Sequence, residues 1–374
     1  MRLASYNVEN LFNRAKAMNL EGWAEGRPVL ESFARLNQML GEPIYTDQDK
    51  AQMVKLLTEL GLSKSDKGPF VILRQNRGSL VKRPKAGGLE IVANGRTEWV
   101  GSLELIEAPV DLEAMRNTAR VMIDLQADVL AVVEAESRPA LRDFNTEIIG
   151  ALGGPLYRHV MLIDGNDTRG IDVGLMTAEG YPIGQMRSHV DDVSANGEPI
   201  FSRDCAQFQI PLPSGKQKDK QLIVLVNHLK SKGFGSLAAS AKKRLAQAER
   251  IKVIYQELVA QGEAYIAVVG DFNDTPDSAP LEPLLKGTEL KDAFVHPAFD
   301  DGGYPGTFDT CKAANKIDYL LLSPALFATV TAGGVWRKGM WPGSKPKRWD
   351  VYPQLDKKEN AGSDHAAVWV DLDL

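Results

Sequence analysis

A chain of 374 residues, 44% hydrophobic and 25% charged, can bury a substantial core as one large domain or two. A net charge of −5 and a sequence pI of about 5.7 exclude a global basic field of the kind that holds nucleic acid non-specifically. Cys205 and Cys311 are too few for a disulfide framework, so reduced thiols are expected. No apolar run is long enough to span a membrane and the first residues lack a signal-like apolar stretch, so a cytoplasmic location is expected.

Arg2 to Val8 alternates apolar and polar residues and reads as a strand ending in the polar cluster Asn7, Glu9, Asn10. About a hundred residues of different character follow. Thr46 or Asp47 caps an expected helix through Leu60, with Met53, Leu56, Leu57 and Leu60 on one face. Asn94-Gly95 lies between two β-rich runs and predicts a hairpin. The strand pattern resumes afterwards, so residues 13–109 read as an insertion or cap within one domain spanning 1–374, placed to shape substrate preference.

Leu112 to Leu125 has helical spacing, and Asp128 to Ser137 reads as a buried strand carrying Glu134. A helix is expected over Arg138 to Leu152, then two strands around a polar turn with Asp167, Arg169 and Asp172. Gln221 to Gly233 is a further strand whose end carries Asn227, His228, Lys230, Ser231 and Lys232. The longest helix, Leu237 to Gln261, is rich in Ala, Lys and Arg, and its Lys242, Lys243 and Arg244 favour a nucleic-acid partner. The chain closes on a strand holding Asp318 and a last strand preceded by Asp364 and His365. Strands separated by helices, with hairpin and crossover connections, predict an α/β architecture with a mixed sheet or two stacked sheets.

The stretch Ile266 to Pro276 organises the chemistry. An apolar run ends in Gly-Asp-Phe-Asn-Asp, delivering Asp271 and Asn273 to a loop. A carboxylate there can orient or deprotonate a nucleophile, and an amide can donate to a phosphate oxygen. Singly, Asn7 and Glu9 are ordinary turn formers, and His228 and His365, two of five histidines, could be structural. Asp318 is harder to explain as scaffold. A buried carboxylate needs a partner, and a histidine would serve.

Together, NVENL from Asn7, VVEAES around Glu134, NHLKSKG around His228, GDFND at Asp271, KIDYLLLS at Asp318 and GSDHAAV at Asp364 resemble, in order, the motifs of the endonuclease/exonuclease/phosphatase superfamily. These are metal-dependent phosphodiesterases such as deoxyribonuclease I, AP endonucleases and neutral sphingomyelinases. The resemblance implies a two-layer β-sandwich flanked by helices, with a large insertion after the first strand. It implies a Mg²⁺ or Mn²⁺ held by Glu134 with Asn7 and Asp364 nearby, suiting a hard cation. Asp271 would orient or deprotonate the attacking water, Asn273 would hold the phosphate, and His228 would contact it from the opposite side. Asp318 would fix the tautomer of His365, which binds or protonates phosphate oxygens. Glu9, Arg169, Asp172, Lys230 and Lys232 are further candidates for the substrate phosphate.

Within the superfamily, histidine at 228 is similar to the deoxyribonuclease and sphingomyelinase branches. The NHLKSKG loop and the RGIDV segment at Arg169 to Val173 resemble a bacterial nuclease-like branch. The expected activity is water attack at phosphorus in DNA or RNA. The rivals are a phosphodiesterase or phosphatase acting on a lipid headgroup or small phosphorylated metabolite, and a non-catalytic binding module.

Overall fold

A computed structural model of the chain describes residues 1–9, 11–19, 23–167, 170–213, 220–232, 236–344 and 347–374. They form two compact units. The first comprises Met1–Phe12, Val110–Ser231 and Ser240–Leu374, and the second Asn13–Pro109 with Lys232–Ala239.

The first unit carries thirteen strands. In chain order they are β1 (Arg2–Asn7), β2 (Val129–Ala135), β3 (His159–Ile163), β4 (Asp172–Thr177), β5 (Met186–Arg187) and β6 (Cys205–Pro211). After these come β7 (Gln221–His228), β8 (Tyr265–Asp271), β9 (Lys291–Asp292), β10 (Phe299–Asp300), β11 (Asp318–Leu322), β12 (Val330–Trp336) and β13 (Ala367–Leu372). Two mixed sheets result, ordered β10-β12-β13-β1-β2-β4-β3 and β5-β6-β7-β8-β11-β9. This is the two-layer sandwich expected from the sequence.

The apolar runs are near-continuous because each central strand is covered on both faces. Leu3, Val129, Ala131 and Val133 of one sheet meet Val224, Val226, Ala267, Val269 and Leu320 of the other in the inner core. The alternate residues face outward. Leu130 and Val132 pack under Ala119, Met122 and Leu125 of helix α1 (Leu112–Leu125). Ile223, Leu225, Ile266 and Val268 pack under Ile251, Ile254 and Leu258 of α2 (Leu237–Ala260). At about 1.5–3 kcal/mol per buried aliphatic side chain, these layers fix the register of every site-bearing strand.

The second unit holds helices Trp23–Leu40 and Asp47–Glu59 and three two-stranded pairs. The helix from Asp47 is capped as expected: Thr46 Oγ1 accepts from Asp49 N at 3.2 Å, and the Asp49 carboxylate accepts from Thr46 N at 2.9 Å. The helix Trp23–Leu40 was not expected. Its Leu30, Phe33, Leu36 and Leu40 have the right spacing, but Pro28 reads as a breaker.

Asn94-Gly95 is not a hairpin turn. A two-residue hairpin of that sequence needs positive φ at both positions, and Gly95 is extended at φ 171°. Asn94 instead donates from N and Nδ2 to Glu98 across the turn Arg96–Glu98. The glycine is required by proximity, since a Cβ would lie 1.9 Å from Pro43 O. The flanking strands Glu90–Ile91 and Val100–Leu105 pair with Val81–Lys82 and Val71–Arg77, not with each other. Likewise, Arg138 to Leu152 is not one α-helix: only Arg138–Asp143 is α-helical before π and 3₁₀ turns.

Candidate active site

Three neighbouring strand ends set the centre. Parallel pairing of β7 and β8 places His228 opposite Asp271, and antiparallel pairing of β8 and β11 places Asp271 opposite Asp318. From the facing sheet, β1 ends in Asn7, β2 carries Glu134, and His365 precedes β13. Asn7, His228, Asp271, Asp318 and His365 are buried, and Glu134 is partly exposed.

Asp271 is the hub. Its Oδ1 accepts from Asn273 N at 2.8 Å, and its Oδ2 accepts from Asn7 Nδ2 and Asn273 Nδ2, each at 3.2 Å. His228 Nε2 lies 3.6 Å from Asp271 Oδ2 and 3.5 Å from Glu134 Oε1. Thus Glu134, His228 and Asp271 form one tight cluster and Asp271, Asp318 and His365 a second. Burial raises the proton affinity of Asp271, and Asp318 and Glu134 push the same way against the opposing His365 and Asn273 N–H.

The expected bond between Asp318 and His365 is present, Nδ1 to Oδ2 at 2.9 Å. Burial disfavours the charged ring, but the charge and hydrogen bond of Asp318, with Asp271 and Asp364, outweigh it and raise the His365 pKa well above its ordinary value. The other ring nitrogen, Nε2, lies 3.5 Å from Asn7 Nδ2, 3.7 Å from Asp364 Oδ1 and 3.9 Å from Asp271 Oδ2.

Among the described residues six non-glycine ones adopt positive φ, and Glu9, Glu134 and Asn273 are three of them. Each such conformation costs about 1–2 kcal/mol and is kept where the surrounding structure imposes it. At Glu134 (φ 66°) the cause is a bulge: β4 pairs Asp172 with Ala135 and Val173 with Val133, so Glu134 is the extra residue.

Several supporting residues lie outside the candidates named from the sequence. Thr307 Oγ1 accepts from Ile317 N at 3.2 Å and Asp318 N at 3.1 Å. Ser363 Oγ donates to Asn7 O at 2.8 Å and accepts from His365 N at 3.0 Å, a role available in the quoted Ser-Asp-His. The Phe308 ring sits 4.8 Å from the His365 ring. Arg244, grouped by sequence with a basic surface, is buried instead. Its Nε pairs with Asp274 at 3.0 Å and its Nη1 donates to Lys230 O at 2.8 Å, so α2 pins the loops after β7 and β8. Lys243 is likewise spent on Pro199 O.

The other candidates lie differently. Glu9 Oε2 accepts from Asp364 N at 3.0 Å, linking the loops after β1 and before β13. Lys230 is held through its backbone N by Gln247, Lys232 is an exposed residue of the second unit, and Arg169 lies outside the described residues. Asp172 is buried, with Oδ1 accepting from Gly165 N at 2.7 Å. Burial is the main reason its pKa rises to about 6, reinforced by Asp164 and Asp167 and opposed by the Gly165 N–H and Arg203.

A carboxyl whose folded pKa exceeds its unfolded one binds protons more tightly when folded, so its contribution to stability falls as pH rises from about 4 to 6. Asp172→Asn keeps the shape and never ionises. It should match the parent below pH 4 and exceed it by about 3 kcal/mol above pH 6. Denaturant titrations across that range check this, and a constant gap would contradict it.

The chain belongs to the endonuclease/exonuclease/phosphatase family, whose profile matches residues 93–301, more than half of the sequence. It is a phosphoesterase of that family. The matched stretch includes Glu134, His228, Asp271 and Asn273, while Asn7, Asp318 and His365 lie outside it. No curated protein matches the chain. Among solved structures it is similar to a mannosyl-6-phosphatase from Bacteroides thetaiotaomicron, with 16% identity, a TM-score of 0.49, and 70% of this chain and 92% of that one covered. Truncated TDP2 from Caenorhabditis elegans gives 16% identity and 0.47, covering 69% and 89%. The catalytic domain of human Nocturnin gives 15% and 0.47, covering 70% and 87%. Among the described residues no helix is long and apolar enough to cross a membrane.

Proposed function

We propose that the chain is a nuclease, hydrolysing phosphodiester bonds of DNA or RNA with the aid of Mg²⁺ or Mn²⁺. The observation that carries this reading is the meeting of the two clusters, Glu134–His228–Asp271 and Asp271–Asp318–His365, at one buried carboxylate. The donor set fits a hard cation. Glu134 and Asp271 converge, with Asp364 3.7 Å from His365, and among the described residues no Lys or Arg pairs with Glu134 or Asp271. His365 lies near Asp271 but none of the described Lys or Arg joins the pair, and a bound cation would offset the repulsion of the two converging carboxylates.

Glu134, Asn7 and Asp364 would hold the metal, which supplies Lewis-acid stabilisation of the phosphoryl oxygens. Asp271, with its raised proton affinity, orients the attacking water and takes its proton. Asn273 positions Asp271, its Nδ2 being directed at Leu229 O and Asp271 Oδ2. His365, kept protonated by Asp318, donates to a phosphoryl oxygen or the leaving oxygen, and His228 approaches the phosphate from the Glu134 side. The acidic net charge favours a second reading, a small phosphorylated metabolite.

Purified protein incubated with Mg²⁺ and plasmid DNA, single-stranded RNA, phospholipid and sugar phosphates separates the two. Cleavage of a nucleic acid is the expected result. Turnover of the small phosphates alone would replace the nuclease reading.

A further inference from the structure

We infer that Tyr304, Lys347, Arg348 and Trp349 form a subsite that stacks and holds an unpaired nucleobase beside the scissile phosphate. The inference rests on the nuclease reading above and names the form of nucleic acid it takes.

After β12 the sequence from 337 to 350 carries five basic residues, one acidic residue and two tryptophans, although the chain as a whole is acidic. Buried Arg337 fixes the base of this segment. Its Nη1 donates to Asp301 O at 2.8 Å, and its Nη2 donates to Gly306 O at 3.1 Å and to Tyr304 O. The turn bearing Tyr304 is thereby tied to the end of β12. Tyr304 and Trp349 meet edge to face, with ring centroids 5.5 Å apart at 84°. Tyr304 Oη donates to Arg348 O at 2.5 Å, and Trp349 Nε1 donates to Met340 O at 3.3 Å.

This pair is close to the chemistry. Tyr304 and Trp349 pack on a buried cluster of Cys311, Met340 and Ala366, and Ala366 directly follows His365. Aromatics serving only as core filler would be buried, yet both rings are partly exposed and Lys347 and Arg348 are exposed beside them. Fixed aromatic faces flanked by cations suit a base and its phosphate. An unpaired base has a free face to offer, whereas a base inside a duplex is already stacked on both sides.

The test uses the full chain and a fluorescent single-stranded oligonucleotide of about 12 nucleotides, with its duplex as comparison. Binding is read by anisotropy with Ca²⁺ in place of the catalytic metal. Trp349→Ala should weaken single-strand binding about tenfold, and Trp349→Phe should restore it to within about twofold, as expected for stacking. Replacing Lys347 and Arg348 by Ala together should lower the slope of log K against log salt by about 1.4, two single-strand phosphate contacts' worth. In turnover, Trp349→Ala should lower kcat/KM for the oligonucleotide, through KM, about tenfold more than for bis(4-nitrophenyl) phosphate. Equal losses on both substrates, unchanged single-strand affinity, or failure of the Phe variant would overturn the subsite. A wild-type protein that turns over the small ester and leaves every oligonucleotide intact would overturn the nuclease reading itself.

Discussion

Asp318→Asn should lower kcat about a hundredfold while leaving the fold intact, because removing one partner of an acid–base pair typically costs 10²–10⁴. The side chain is nearly isosteric, and its backbone N remains held by Thr307 Oγ1. What it loses is the charge that keeps His365 protonated against the penalty of burial. His365→Ala should cost at least as much. The double variant should be little worse than the worse single one, since two residues joined by a 2.9 Å hydrogen bond act as a unit. Single-turnover rates of the three variants at saturating Mg²⁺ decide the matter. Multiplicative losses would mean that the pair does not work as a dyad.

Glu134→Gln should raise the Mg²⁺ concentration needed for half-maximal rate by at least about tenfold, as losing a charged ligand to a hard cation implies. The amide can fill the same bulge, so circular dichroism and unfolding midpoint should stay those of the parent. Chelation should abolish activity in both proteins, and readdition of metal should restore it. A metal-free preparation with full activity would remove the cation from the proposed mechanism altogether.

The buried strands were legible because burial on two faces leaves a plain trace, whereas their stacking in two layers was implied by the family resemblance. Runs such as Val129–Val133 and Leu222–Val226 are apolar at every position, and each ends abruptly in a polar residue. The partner of Asp318 was legible for an energetic reason, since an apolar strand cannot hold an unpaired carboxylate. The bulge at Glu134 was not, because a positive φ on a glutamate comes from the register of the neighbouring strand and from nothing in its own sequence. Thr307 lies in a long connection without periodicity, and only the fold brings its hydroxyl beneath Asp318 N. Strand β6 did leave a signal, with Ala206, Phe208 and Ile210 alternating with Gln207 and Gln209, whereas the glycines of β12 erase one. Arg244 shows the limit of reading charge as surface: a cation in a helix can be a buried strut.

The row His228–Asp271–Asp318 is laid down by ladder pairing across adjacent strands, so its spacing belongs to the sheet and not to the connecting loops. The long segment after β1 leaves and returns at neighbouring points: Asn13 pairs with Pro109, and Val110 N donates to Phe12 O at 2.7 Å. A detour closed at its base adds only a slowly growing entropy of loop closure. The length and content of the stretch between Asn13 and Pro109 are therefore free of the pairing that spaces the row, and the row is free of them.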